Sequence, residues 1–339
     1  MRTPAFWYCP PGLTARLLAP AGWAFAAGGR LRRHLAPPPP SPPCPTLCIG
    51  NLVAGGAGKT PTALWLLDAL RTAGIAAHAI SRGHGGDQAG PLQVDPAHHC
   101  ARMVGDEPLL LAAVAPTWIA RHRPLAMAAA AAAGAQALIV DDGFQNPHLP
   151  HTASLLVVDG VSGFGNGRVI PAGPLREPVA QGIARADALL LLGEDRHALE
   201  PWLRDRLPAT APLWRGRLEP TAPLQARHVP GRGSLTDRPA VAFAGLARPE
   251  KFFATCTQAG FSLAATLAFA DHHPYTRADE TRLSAIARAA GDAVLLTTAK
   301  DAVRLSPAFR ADVSVLPVRL AIPDAVALLG WLRQRMGIG

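Results

Sequence analysis

The chain is short of cysteine, tyrosine and asparagine, and each shortage closes off a class of protein. Its five cysteines, Cys9, Cys44, Cys48, Cys100 and Cys256, make no C-x-x-C pair and no evident metal spacing. An odd count fits a reducing compartment better than a disulfide framework, so all five read as structural or incidental. Only two tyrosines occur, and no Lys/Arg run is interleaved with aromatics, which argues against a nucleic-acid platform. None of the three asparagines, Asn51, Asn146 and Asn166, precedes a lysine, so the guanine-reading N-K-x-D of a GTPase is missing. The uncharged N-terminal run 17–29 is too short to span a bilayer, which needs ~20 apolar residues.

Acidic side chains are also scarce, 24 against 33 Lys and Arg, for a net charge of +9. Such an excess suits an anionic partner, whether nucleic acid, a membrane surface or a phosphorylated substrate. At 339 residues and 49% hydrophobic content the chain is long and apolar enough for two cored domains.

What is present is organised around residues 49–61, I-G-N-L-V-A-G-G-A-G-K-T-P, which follow a strand-like T-L-C and precede the helix-forming A-L-W-L-L. Gly55, Gly56, Ala57 and Gly58 let backbone N–H groups turn onto phosphate oxygens. Lys59 adds a mobile positive charge, and the Thr60 hydroxyl can hold Mg²⁺. The following helix aims its positive end at the same anion. Val53 stands where the general P-loop pattern has glycine, and Gly55 and Gly56 supply the turn instead.

Residues 1–36 carry aromatics and leucines with Arg16, Arg30, Arg32 and Arg33 among or after them. The basic cluster follows the apolar stretch, the reverse of a signal peptide, so this segment reads as an interfacial helix lying on a membrane. A proline-rich stretch leads into the first domain, 37–215. There, strand-like 137–140 ends in Asp141-Asp142-Gly143, the Walker B arrangement of carboxylates that reach Mg²⁺. S-R-G-H-G-G follows strand-like 75–80 and places His84 where ligands gather in α/β sheets. Asp106 and Glu107 open a helix, where spacing alone reads them as capping residues. A looser stretch, 216–239, is the expected linker, and 240–339 the expected smaller domain, with a last strand at 313–318. Strand-helix alternation predicts a mostly parallel sheet in each unit.

Taken together, G-N-L-V-A-G-G-A-G-K-T-P, S-R-G-x-G-G, V-G-D-E-P, D-D-G-F-Q, G-F-G-N-G-R with P-A-G-P-L-R-E-P, F-A-G-x-A-R-P-E-K-F-F, D-H-H-x-Y and K-D-A-V-R-L make the sequence resemble the tetraacyldisaccharide 4′-kinase family over almost its whole length. The resemblance implies MgATP as donor and the glycolipid tetraacyldisaccharide 1-phosphate as acceptor in lipid A synthesis. It also implies a seat on the cytoplasmic face of the bacterial inner membrane, without nucleic acid or an obligate protein partner. Carried over, it makes Asp106 the general base, replacing the capping reading, with Glu107 in support and His272 of the smaller domain, in preference to His273, orienting Asp106. Lys59 would hold the ATP phosphates, and Thr60, Asp141 and Asp142 the metal. Gln145, Arg123, Arg168 and Arg176 join the site with less defined roles. The sequence departs from the family at His84, commonly tyrosine, and at Ala299, commonly glutamate.

Overall fold

A computed structural model of the chain describes residues 4–223 and 235–338, so residues 224–234 of the expected linker lie outside the described residues. Two sheets form. The larger is built from β1 (Thr46–Gly50), β2 (Ala77–Ser81), β3 (Leu92–Gln93), β4 (Thr117–Ile119), β5 (Ala137–Asp141), β6 (Ala153–Asp159), β7 (Ala188–Leu192) and β8 (Leu213–Pro220). The smaller contains β9 (Pro239–Ala244), β10 (Ser262–Ala268), β11 (Val294–Thr297) and β12 (Ser314–Val315) in the order β10-β9-β11-β12, all parallel.

A final strand, β13 (Val318–Ala321), leaves the smaller unit and returns to the larger sheet, whose order is β13-β8-β7-β6-β1-β5-β2-β4-β3. The expected assignment of all of 240–339 to the smaller domain is therefore corrected. The expected strand 313–318 divides at Pro317, which has no N–H to continue a ladder, and the two halves join different sheets. β13 pairs antiparallel with β8, which itself runs to Pro220, past the expected boundary at 215. Covering the β8 edge and burying Leu328, Leu332 and Met336 of the helix Ala325–Met336 in the large core give the return its physical reason.

Central strands of the large sheet are buried on both faces, and alternate residues feed two cores. Leu47 and Ile49 pack with Leu66, Leu67 and Leu70 of the P-loop helix Lys59–Thr72. Cys48, Leu138 and Val140 pack on the opposite face with Met127 of the helix Arg123–Ala132. Each fully buried leucine contributes roughly 2 kcal/mol of transfer free energy. These two layers clamp β1 and β5 so that Ile49 and Asp141 lie side by side at the sheet's carboxyl end. In the smaller unit Phe252 and Cys256 cover one face, and Leu283 and Ala287 the other.

The N-terminal segment forms a short 3-10 helix, Ala5–Tyr8, and the helices Leu13–Leu17 and Ala19–Leu35. Ala15, Ala19, Gly22 and Ala26 face the protein, close enough that a Cβ on Gly22 would meet the Val169 carbonyl at 2.8 Å. The large apolar residues point the other way: Leu13, Leu17, Trp23, Phe25, Leu31 and Leu35 are all exposed.

Candidate active site

The P-loop supplies the first half of the site. Gly55 and Gly58 adopt positive φ, +112° and +90°, and a Cβ on Gly58 would strike the Leu192 side chain, so this tight turn into the helix Lys59–Thr72 requires glycine. Lys59 Nζ donates to Asn51 Oδ1 at 3.1 Å and lies 3.7 Å from Asp142. Burial pulls the Lys59 pKa down, against the opposing charge of Asp142. Thr60 Oγ1 donates to Asp141 Oδ2 at 3.2 Å.

The two carboxylates ending β5 are in opposite electrostatic states. Burial pushes the pKa of Asp141 up to about 6, and its Oδ1 is buried without a hydrogen-bond partner. Asp142 is half-buried; the desolvation this brings raises its pKa, but the charges of Lys59 and Arg176 outweigh it and hold the group at about 2. Arg176 grips Asp142 with both nitrogens, at 2.7 and 3.2 Å, and reaches Gln145 at 3.2 Å. Gln145 in turn donates to the Asn51 carbonyl at 2.8 Å and to Glu177 at 3.3 Å. Arg123 donates to the Asp142 carbonyl at 2.8 Å. Arg168 is the exception among the expected arginines: its contacts are through its backbone to Asn166 and Leu175, and its side chain makes none with this cluster.

Asp106 and Glu107 form the second half, in the first turn of the helix Asp106–Ala112, and neither caps it. Gly86 and Gly105 let the S-R-G-H-G-G loop pack against this helix start: added Cβ atoms would meet the Met103 carbonyl at 2.6 Å and the His84 carbonyl at 2.5 Å. Asp106 Oδ2 lies within hydrogen-bond distance of His272 Nδ1, at 2.9 Å, and forms an ion pair with Arg304 Nε at 3.2 Å. Burial raises the Asp106 pKa, but the His272 hydrogen bond and the Arg304 charge outweigh it and leave it below the usual carboxylate range. Glu107 is likewise depressed on balance, by Lys300 at 2.8 Å, and its charge is felt by both Lys59 and Asp141. Asp106, Glu107 and His272 offer ligand atoms within 4.8 Å of one another, but Lys300 and Arg304 already meet their charge, so no ion is assigned there.

The two histidines of D-H-H-x-Y diverge. His272, at φ +57°, turns to Asp106, whereas His273 binds Asp279 at 3.1 Å within the capping box of the helix Arg277–Ala289. His84 lies edge-on to His272, with ring centroids 5.8 Å apart. Residue-type reasoning passed over Lys300 and Arg304. Their i, i+4 spacing within K-D-A-V-R-L, which puts both cations on one face, was the available signal. Arg304 is fixed by Asp301, fully buried, which also accepts from Gly245 N, Tyr275 and Thr298.

Three comparisons bear on this geometry. A family model described as Tetraacyldisaccharide-1-P 4′-kinase matches residues 14–337. The tetraacyldisaccharide 4′-kinase of Rhodospirillum centenum is 55% identical over 328 residues, 95% of this chain and 93% of that protein. The enzyme of the same name from Dinoroseobacter shibae is 51% identical over 98% of this chain and 97% of its own. Among solved structures, that of Aquifex aeolicus LpxK in complex with ATP superposes with a TM-score of 0.75 at 25% identity, covering 96% of this chain and 99% of its own.

Proposed function

Because the chain belongs to the tetraacyldisaccharide-1-P 4′-kinase family, and so is an ATP-dependent kinase of the 4′-hydroxyl of tetraacyldisaccharide 1-phosphate in lipid A synthesis, we propose that Asp106 is its general base and that the site is completed across the two units. The observation that carries this reading is the 2.9 Å contact from His272 of the smaller unit to Asp106 of the larger.

Asp106 stays ionised at neutral pH. Both of its contacts among the described residues fall on Oδ2, which leaves Oδ1 for the acceptor hydroxyl. As the 4′-oxygen bonds to the γ-phosphorus, its proton passes to Asp106 and the bond from that phosphorus to the β–γ bridging oxygen breaks, releasing ADP. Lys59 and the backbone amides of the P-loop neutralise the phosphate charge. Arg176 holds Asp142 beside Lys59, and Arg123 fixes the backbone of the same turn.

Thr60 and Asp141 fit a magnesium ion: the unpartnered Asp141 Oδ1 is a buried acceptor in need of a cation, next to a hydroxyl in the first turn of the P-loop helix, whereas both carboxylate oxygens of Asp142, also expected at the metal, are held by Arg176. When bound there, Mg²⁺ would screen the phosphate oxygens from the incoming hydroxyl.

The N-terminal helices support a peripheral seat on a membrane surface, and we propose the cytoplasmic face of the inner membrane, the side that holds ATP. They dock through small residues and present their leucines and aromatics outward, with Arg16, Arg30 and Arg32 also exposed. No helix among the described residues is long and apolar enough to cross a membrane.

Transfer of labelled γ-phosphate to tetraacyldisaccharide 1-phosphate in mixed micelles tests the base assignment. Asp106→Asn should lower kcat at least 100-fold while equilibrium ATP binding stays within about threefold of wild type. An active Asp106→Asn enzyme sinks the assignment.

A further inference from the structure

We propose that Lys300 is a positioning residue that fixes the protonation of His272, holding the ring neutral with its single proton on Nδ1, toward Asp106. The proposal rests on the reading of Asp106 as base and deepens it, since it names what sets the base's partner.

The argument begins with donors and acceptors. Lys300 Nζ lies 3.2 Å from His272 Nε2 and 2.8 Å from Glu107 Oε1, with Asp271 at 4.0 Å. A charged ammonium only donates, so the ring nitrogen it approaches must be an acceptor. Burial disfavours the Lys300 charge, but Glu107 and Asp271 outweigh that and hold it charged above the ordinary lysine range. His272 Nε2 is then unprotonated, and a neutral imidazole has its one proton on the other nitrogen. That nitrogen, Nδ1, is the one at 2.9 Å from Asp106 Oδ2.

Every neighbour of the ring bears on this assignment. Asp106, ionised and 2.9 Å from Nδ1, and Glu107 and Asp271, each 3.9 Å from Nε2, by themselves would favour an imidazolium. Lys300 lies closer to Nε2 than Glu107 or Asp271 and adds a positive charge that opposes a second proton. Arg304, on Asp106 at 3.2 Å, opposes it from the other side, and His84 meets the ring edge-on. The outcome matters for the base. A neutral Nδ1–H orients Asp106 and stabilises its charge moderately, whereas an imidazolium in the same place would depress its basicity further and weaken proton abstraction.

The lysine is held for this task. Thr298 caps the short helix Ala299–Ala302, its hydroxyl accepting from Asp301 N, and this helix packs on the one that carries Asp106 and Glu107. One turn of chain therefore delivers Lys300 to Nε2 and Arg304 to Asp106, four residues apart.

Nitrogen-15 NMR of histidine-labelled protein tests the proposal directly, because imidazole shifts separate the two neutral tautomers from the cation. His272→Gln identifies the signal among the 12 histidines. At pH 7.5 wild-type His272 should be neutral with the proton on Nδ1; a ring protonated on Nε2, or on both nitrogens, overturns the proposal. In Lys300→Met the ring should take up a second proton, and kcat should fall roughly 10- to 100-fold with little change in KM for ATP. The acid limb of its pH–rate profile should move to higher pH, because a cation beside Nε2 has been removed. Lys300→Arg, still a charged donor, should restore the wild-type spectrum and activity to within about fivefold. An unchanged His272 spectrum in Lys300→Met also overturns the proposal. The spectra do not depend on which group takes the hydroxyl proton, so an active Asp106→Asn enzyme would remove the base reading and leave the tautomer result standing.

Discussion

At the scale of single residues, the site keeps two adjacent carboxylates for opposite uses. Asp142 is saturated by Arg176 and Lys59, while Asp141 is buried with one oxygen unpartnered. Its folded pKa, about 6, stands above the ordinary 3.8, so ionised Asp141 opposes folding. That cost is full above about pH 6 and disappears as pH falls below the unfolded value near 4. Asp141→Asn should therefore stabilise the magnesium-free protein by on the order of 2 kcal/mol at pH 8, and by much less at pH 4. Thermal melts at the two pH values check this, and the same variant should lose at least 100-fold in phosphoryl transfer. The P-loop and the D-D-G turn could be read from the sequence because their chemistry is local, written in consecutive residues. Asp106 could not be told from a cap by spacing; what distinguishes it is a contact with a residue 166 positions away.

At the scale of elements, the helix Ala19–Leu35 is built inside out for a protein in water, with alanine and glycine inward and large apolar side chains outward. A face that folding leaves uncovered can be changed at little cost to stability. Trp23→Glu, Leu31→Glu and Leu35→Glu combined should shift unfolding by no more than about 1 kcal/mol. They should also lower partition onto anionic phospholipid vesicles at least tenfold, as measured by co-sedimentation. Equal binding by the triple variant would remove this helix from the membrane reading. The helix is also tied to the catalytic unit: Arg33 donates to Gln181 at 3.0 Å and pairs with buried Glu177 at 3.3 Å, and Trp7 donates to the Pro171 carbonyl. The apolar content and the trailing arginines of this segment were legible in sequence. Its docking stripe was not, since alanine and glycine look alike whether buried or exposed.

At the scale of the whole molecule, the smaller sheet is set between β8 and β13, so the chain crosses from the large unit and comes back to close it. Strand-helix alternation in the sequence shows two units but not which sheet a late strand joins, because β12 and β13 are short and only Pro317 marks the change. Contacts across the units cluster at the site. Besides the Asp106 network, Arg248 and Lys251 of the smaller unit both bind Asp159 at the end of β6, and Arg248 also reaches the Gly56 carbonyl of the P-loop at 3.4 Å. Closing the units in this way can exclude water and limit wasteful ATP hydrolysis. The most direct test of a site shared by the two units is a double-mutant cycle on Asp106→Asn and His272→Gln, read as kcat for phosphoryl transfer. If the pair acts as one device, the double variant should be within about threefold of the worse single one. Losses that multiply would show two independent contributions and contradict the shared site.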